Sequence, residues 1–340
     1  MKLIDTKDAV GTVLCHDMTQ IIPGVTKDAR FRKGHIVTAE DIPVLLSIGK
    51  DHLYIWEKEE GMLHENEAAQ RLYDICKNDN MTATAVKEGK IELIAACDGV
   101  YKVDVERLEK INELGDIMIA TRHNNFPVKA GEKLAGTRVI PLVIDEKRLQ
   151  EAEKLAENRP LMSLLPYSHK KAGIITTGNE VFYGRIKDEF GPIIRGKLAE
   201  YDVEVLGQTL CDDDPQHIAE AIRAFLNEGA ELVICTGGMS VDPDDRTPAA
   251  IKATGAEIIS YGAPVLPGAM FLLAYYGGDI PILGLPGCVM YAKRTIFDLV
   301  LPRVMAGEHL SKKDLAVLGH GGLCLNCEVC HYPQCSFGKA

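Results

Sequence analysis

The chain has 340 residues, 46% of them hydrophobic, and a formal net charge of −11. That length exceeds one ordinary domain and suffices for a large core. Dispersed basic residues exclude a nucleic-acid partner, and the absence of any apolar run long enough to span a bilayer excludes a membrane one. The N-terminal MKLIDTKDAVG carries no apolar signal core, so a cytoplasmic location is expected.

In chain order, residues 1–58 predict short strands and a helix from Ala39 to Ser47, with Thr38 and Asp41 forming a start like a capping box. Residues 59–165 predict a β-rich region between two helices, Glu65 to Asn78 and Glu146 to Asn158. Its extended runs are Ile91 to Ala96, Ile117 to Thr121 and Val139 to Ile144, and Arg122-His123-Asn124-Asn125 reads as a turn. Residues 166–310 alternate apolar runs with amphipathic stretches. Strands are expected at 172–177, 203–210, 232–236, near Ile258, at 271–275 and at 281–285. Helices are expected at 191–201, 216–227, 248–254 and Val289 to about Met305. Such alternation indicates an α/β fold with a doubly wound, mostly parallel three-layer domain. Residues 311–340 form a cysteine-rich tail.

The stretch Leu232 to Asp245, LVICTGGMSVDPDD, is the most informative. A buried strand empties into Gly237-Gly238, where a ligand can approach the backbone, and three aspartates follow within four residues. A plain helix start would need one capping residue, Asp245 or Thr247, rather than Asp242, Asp244 and Asp245 together. Of the other cysteines, Cys15, Cys76, Cys97 and Cys211 read as packing residues, and Cys235 and Cys288 lie beside the ligand loops.

TTGNE at 176–180, DDD at 212–214, TGGMSVDPDD at 236–245, LPGAM at 266–270 and GLPG at 284–287 occur in that order. Their spacing resembles that of the molybdopterin-binding domain of molybdenum-cofactor biosynthesis proteins, over about residues 170–307. Among larger members the chain looks like the molybdopterin molybdenumtransferase, which Phe31 to Trp56 also resembles. The resemblance implies a molybdopterin ligand or substrate, Mg²⁺, and catalytic carboxylates at Glu180 and Asp245, with Asp244 beside Asp245 at the metal. Hard oxygen ligands that bridge to phosphate suit magnesium. The positions implied to bind the pterin are Thr177, Gly178, Asn179, Asp188 and Asp213 on one side. Thr236, Gly237, Gly238, Met239, Ser240 and Asp242 form the central loop, whose N–H groups suit a phosphate. Pro267, Gly268, Pro286 and Gly287 complete the set. Asp213 and Asp214 match an acidic pair that could equally cap a helix. Implied partners are a pterin phosphate, molybdoenzymes or other cofactor-biosynthesis proteins, and further copies of the chain in a homo-oligomer.

Several positions depart from the family pattern. Asp242 stands where it has glycine, Leu266-Pro267-Gly268-Ala269-Met270 loses both lysines of Lys-Pro-Gly-Lys-Pro, and Asp188-Glu189-Phe190 replaces an Asp-Ser-Asn-like triplet. Gly287-Cys288-Val289 replaces Gly-Asn-Pro, and the transferase's Met-Asp-Gly-Tyr-Ala signature is missing. Three functions compete: Mg-assisted molybdate insertion into molybdopterin or its adenylylated form, a non-catalytic carrier or sensor with a redox-active tail, and a nucleotide pyrophosphatase. The last rests on Asp244-Asp245-Arg246-Thr247, which is similar to the DD-x-T loop of the competence-damage-inducible family.

In the tail, Cys324, Cys327, Cys330 and Cys335 place four of ten cysteines within twelve residues. This C-x2-C-x2-C-x4-C run approaches a ferredoxin-type spacing, so a [4Fe–4S] cluster is the first expectation and zinc the second. Disulfides lack a secretory context. His320 and His331 are spare ligands. Removing the tail after Gly307 is expected to leave the α/β domain folded.

Overall fold

A computed structural model of the protein describes residues 2–55 and 60–339. The expected boundary after residue 58 and Trp56, the end of the N-terminal resemblance, lie outside these residues. The chain divides into two units, 1–96 with 103–122 and 130–163, and 97–102 with 123–129 and 164–340.

In the first unit a strand pair, Lys2–Asp5 with His52–Ile55, and a hairpin, Met18–Ile22 with Thr26–Phe31, accompany a helix at Asp41–Ser47. Thr38 and Asp41 do pair, the backbone N–H and hydroxyl of Thr38 both reaching the Asp41 carboxylate at 2.8 Å, yet the helix begins only at Asp41. A four-stranded sheet follows in the order Met81–Ala83, Lys90–Ala95, Lys133–Val139, Ile117–Thr121. Helices Glu65–Cys76 and Glu146–Leu155 lie where expected, but each stops short of its predicted end. Two readings are corrected here. Val105–Asn112 is a helix that sequence periodicity missed, started by Asp104, whose carboxylate accepts the Arg107 N–H at 3.1 Å. The run 139–144 is no single strand, because the chain bends at 140–142 before a new strand at Val143–Asp145.

The second unit carries the three-layer domain. Its strands are β1 (Lys171–Thr177), β2 (Glu204–Cys211), β3 (Leu232–Thr236), β4 (Glu257–Tyr261), β5 (Leu272–Tyr276) and β6 (Ile280–Leu285). The sheet order is β2-β1-β3-β6-β5-β4, parallel through the first four and antiparallel at the β5 and β4 edge. Alternation along the strands sorts the core into two faces. Ile174, Ile234, Leu283 and Leu273 lie in register across β1, β3, β6 and β5 and face one layer. That layer contains α2 (Phe190–Ala199) and α5 (Ile296–Met305). Ile175, Val233, Cys235 and Ile282 face the other, against α3 (Pro215–Asn227) and α4 (Thr247–Ala253). A sheet buried on both faces explains why β3 reads as an unbroken apolar run.

The expected helix from Val289 is a 3₁₀ turn at Gly287–Met290, and α5 starts afresh at Ile296. Thr295 and Asp298 make a capping box there, Asp298 accepting the Thr295 N–H at 2.8 Å, so the sequence restarts the helix. The tail is also corrected. A short helix α6 (Lys312–Ala316) follows α5, and Leu310, Leu315, Leu318 and Phe337 are buried in the same core cluster as α5. Leu315, Leu318 and Phe337 therefore tie this segment into that layer.

Candidate functional site

β1, β2 and β3 all end at one edge of the sheet, and the loops leaving them enclose a cavity of about 570 Å³. This is the place where an open α/β sheet takes a ligand. From β1 come Thr177, Gly178, Asn179 and Glu180, the last two opening a one-turn helix α1 (Asn179–Phe182). From β2 comes Asp213, and from β3 come Gly237, Gly238, Asp242, Asp244 and Asp245. Glu189 and Phe190, from the Asp188-Glu189-Phe190 triplet, also line it, as do Lys187 and Met290, which the motifs do not single out.

The glycines are needed for reach as well as conformation. Gly237 has φ +83°, and a Cβ there would stand 2.2 Å from the Thr177 carbonyl oxygen. Gly238 has φ +56°, and a Cβ there would stand 2.8 Å from the Thr247 hydroxyl. That hydroxyl ties the loop together. It donates to the Gly237 carbonyl at 2.9 Å, lies 3.1 Å from the Thr177 hydroxyl, and its residue's N–H reaches the Gly238 carbonyl at 3.3 Å. Thr247 is thus the buried clamp between the β1 and β3 loops. It is not the helix cap considered from sequence, since α4 has Arg246 at that position with no side-chain cap. Nor does Asp245 cap α4; its carboxylate accepts the Asp242 N–H at 3.0 Å, closing the acidic turn on itself.

The acidic pair after β2 divides its work. Asp214 caps α3, accepting the Gln216 N–H at 2.8 Å. Asp213 turns into the cavity and accepts the Asn179 N–H at 3.0 Å. Burial raises the Asp213 pKa; the Asn179 hydrogen bond opposes this, and the charges of Glu180 and Asp244 reinforce it. Six carboxylates (Glu180, Glu189, Asp213, Asp242, Asp244, Asp245) and one lysine, Lys187, line the cavity. Among the described residues, no three His, Cys, Asp or Glu side chains stand close enough together to hold a metal ion.

Other expected positions lie outside this lining. Asp188 accepts the N–H groups of Phe190 and Gly191 at 2.9 and 3.2 Å and holds the Gln208 amide, which anchors the start of α2. Thr236 is fully buried, with its hydroxyl 3.3 Å from the Ile175 carbonyl. Met239 packs its side chain into the core over Gly284, and Ser240 offers its carbonyl to the Tyr261 hydroxyl at 3.1 Å. Pro286 and Gly287 start the turn that ends at the cavity residue Met290. Gly268 lies against Ile296, where a Cβ would come within 2.5 Å, and Pro267 borders a different cavity.

That second cavity, about 620 Å³, is lined by Cys324, Cys327, Cys330 and Cys335, together with Lys293 and Arg294. All four thiols are free of disulfides.

Residues 173–306 match the family model described as "Probable molybdopterin binding domain", and residues 3–57 match a domain of unknown function. A CinA-like protein from Mycobacterium sp. (strain JLS) is 40% identical over 90 residues, 26% of this chain and 21% of the relative. The CinA-like protein of Mycobacterium tuberculosis (strain ATCC 25177 / H37Ra) is 39% identical over 77 residues, 23% of this chain and 18% of the relative. The chain thus spans about a fifth of the length of these curated relatives. The crystal structure of the protein CinA from Thermoplasma acidophilum aligns at TM-score 0.35 and 22% identity over 40% of this chain and 98% of that one. The molybdopterin biosynthesis enzyme MoaB of Thermus thermophilus aligns at TM-score 0.34 and 25% identity over 41% and 98%.

Proposed function

We propose that the acidic cavity binds a phosphorylated pterin of the molybdopterin class, with a magnesium ion between the carboxylates and the ligand's phosphate. The match of residues 173–306 to the molybdopterin-binding model supports the ligand class. The observation that carries the reading is the charge of the site, six carboxylates to one lysine around a glycine loop. A bare phosphate would be repelled from such a lining, whereas a divalent cation reverses the local field. Magnesium is bound through one or two carboxylates plus substrate phosphate oxygens, so no closed protein cage is required. Asp244 and Asp245 are the two carboxylates that would hold it, and Asp213 adds its carboxylate to the same lining. Bound there, it would supply charge neutralisation and Lewis-acid polarisation of phosphate oxygens. The chain's own residues do the rest. Gly237 and Gly238 bring backbone against the ligand, and the Thr177–Thr247 pair fixes their positions.

Calorimetric titration with molybdopterin should show binding that strengthens with Mg²⁺; magnesium-independent binding, or none, sinks the proposal. If the site also inserts molybdate as substrate, Glu180 and Asp245 are its catalytic carboxylates. Asp245→Asn should then abolish insertion while keeping the fold, because the amide does not replace an anionic oxygen on a hard cation. Wild-type protein that binds the pterin yet never activates an apo-molybdoenzyme would establish the carrier role instead. A second reading, hydrolysis of a nucleotide pyrophosphate, draws on Asp244-Asp245-Arg246-Thr247 and the 40% identity to a CinA-like protein over 90 residues. Tighter binding of adenine nucleotides than of the pterin in the same titration would favour it.

A further inference from the structure

The second cavity is independent of the acidic one and lies in part beyond residue 306, where the domain match ends. We propose that it is the seat of a [4Fe–4S] cluster held by Cys324, Cys327, Cys330 and Cys335.

Four observations carry this. The thiols surround one space of about 620 Å³ instead of scattering over the surface. They are free of disulfides, and Cys327 and Cys330 are exposed at the rim while Cys324 and Cys335 are half-buried. The loop that bears them is pinned at both ends. Leu266 donates to the Gly322 carbonyl and accepts from the Cys324 N–H, both at 2.8 Å, and Gly338 donates to the Gly321 carbonyl at 2.9 Å. Between these ends Tyr332 donates to the Asp298 carbonyl at 2.8 Å, and Phe337 is only 4% exposed.

The run C-x2-C-x2-C-x4-C selects the metal, because it approaches the ferredoxin-type spacing in which the thiolates of one short loop each bind a different iron of a cubane.

A [4Fe–4S]²⁺ core with four thiolates carries a net charge of ~−2. Lys293, Arg294 and Glu328 also line the cavity; Lys293 donates to the Glu328 carbonyl at 2.6 Å, and Arg294, paired with Asp298 at 2.8 Å, stacks 4.9 Å over the Tyr332 ring. In assembly two ferrous and two ferric ions join four sulfides, and each thiol gives up its proton as its Sγ–Fe bond forms. No net electron transfer is required.

The full-length protein should be reconstituted anaerobically with equal amounts of ferrous and ferric iron and with sulfide. The expected product holds about four irons and four sulfides per chain, with broad absorption near 400 nm that dithionite bleaches. Cys327→Ser with Cys330→Ser changes two exposed side chains, so the fold should persist while iron falls from about four to below one per chain. Circular dichroism of the double variant verifies the fold, and the single variant Cys330→Ser, at reduced iron, gives the same answer if the double variant is lost. A wild-type protein that takes up no iron, a double variant that keeps four, or one zinc per chain bound by four thiolates in preference to iron would overturn the assignment.

Discussion

Replacing Gly237 with alanine tests whether the β1 and β3 loops are packed as closely as the site requires. Gly229 is a matched control, since both glycines have similar φ, +83° and +89°, but nothing lies within 4 Å of a Cβ at Gly229. Both substitutions place a Cβ in the left-handed region, at a cost of about 1–2 kcal/mol. Alanine also restricts the unfolded chain, which returns about 0.4–1 kcal/mol in each case. Only Gly237→Ala adds a clash, with the Thr177 carbonyl oxygen 2.2 Å from the new carbon. Overpacking of this kind costs about 1–3 kcal/mol. The difference between the two variants is therefore about 1–3 kcal/mol. With a urea slope of about 2 kcal/mol per molar, it separates their midpoints by roughly 0.5–1.5 M. Hydrogen exchange of peptides covering 171–177 and 232–236 reads the α/β unit itself as urea rises. Equal midpoints, or a larger loss at Gly229, would refute the close approach. Gly237→Ala should also weaken pterin binding, and Gly229→Ala should not.

Other substitutions probe the electrostatics and the tail. Because burial raises the Asp213 pKa above its unfolded value, ionising it costs folding stability as pH climbs from the usual carboxylate range through the folded value. Asp213→Asn should stabilise the metal-free protein at neutral pH and lose Mg²⁺ affinity, as thermal unfolding with and without magnesium would show; a destabilised variant contradicts this. Asp314 moves the other way. Burial opposes its ionisation, but hydrogen bonds from Ser311 and the ion pair with Arg303 win and pull its pKa down to about 2. Its contribution is full above about pH 4 and disappears as pH falls through 2, so acid unfolding of Asp314→Asn should be shallower in that window. Phe337→Ala, at a site 4% exposed in the α5 layer, should cost about 3–5 kcal/mol, and truncation after Gly307 should unfold or severely weaken the α/β unit. A truncated protein of unchanged stability would show those contacts to be dispensable.

The sheet was legible because its signals are local. Leu232 to Thr236 is apolar at every position but the last, since β3 is covered on both faces, and Gly237-Gly238 marks its exit. The roles of neighbouring residues were harder to separate, because long-range partners decide them. Asp213 and Asp214 are chemically identical, yet one caps α3 and the other meets Asn179 from across the sheet edge. Thr247 reads as a cap until Thr177, seventy residues earlier, is placed 3.1 Å from it. The break before α5 was written in Thr295 and Asp298, but an apolar run on both sides masked it. The packing of the tail is not legible locally, because Leu310, Leu315, Leu318 and Phe337 are buried in one cluster with residues of α5 and β5 that are distant in sequence.

The central claim is that cation and phosphorylated pterin share one acidic cavity. Their coupling tests it most directly, because linkage requires each to change the other's affinity by the same factor. Magnesium affinity should be measured by titration in the absence of molybdopterin and at saturating molybdopterin. The account predicts that the pterin tightens magnesium binding at least about fivefold, that magnesium tightens the pterin equally, and that Asp245→Asn removes both effects. Affinities that stay independent of one another would contradict it.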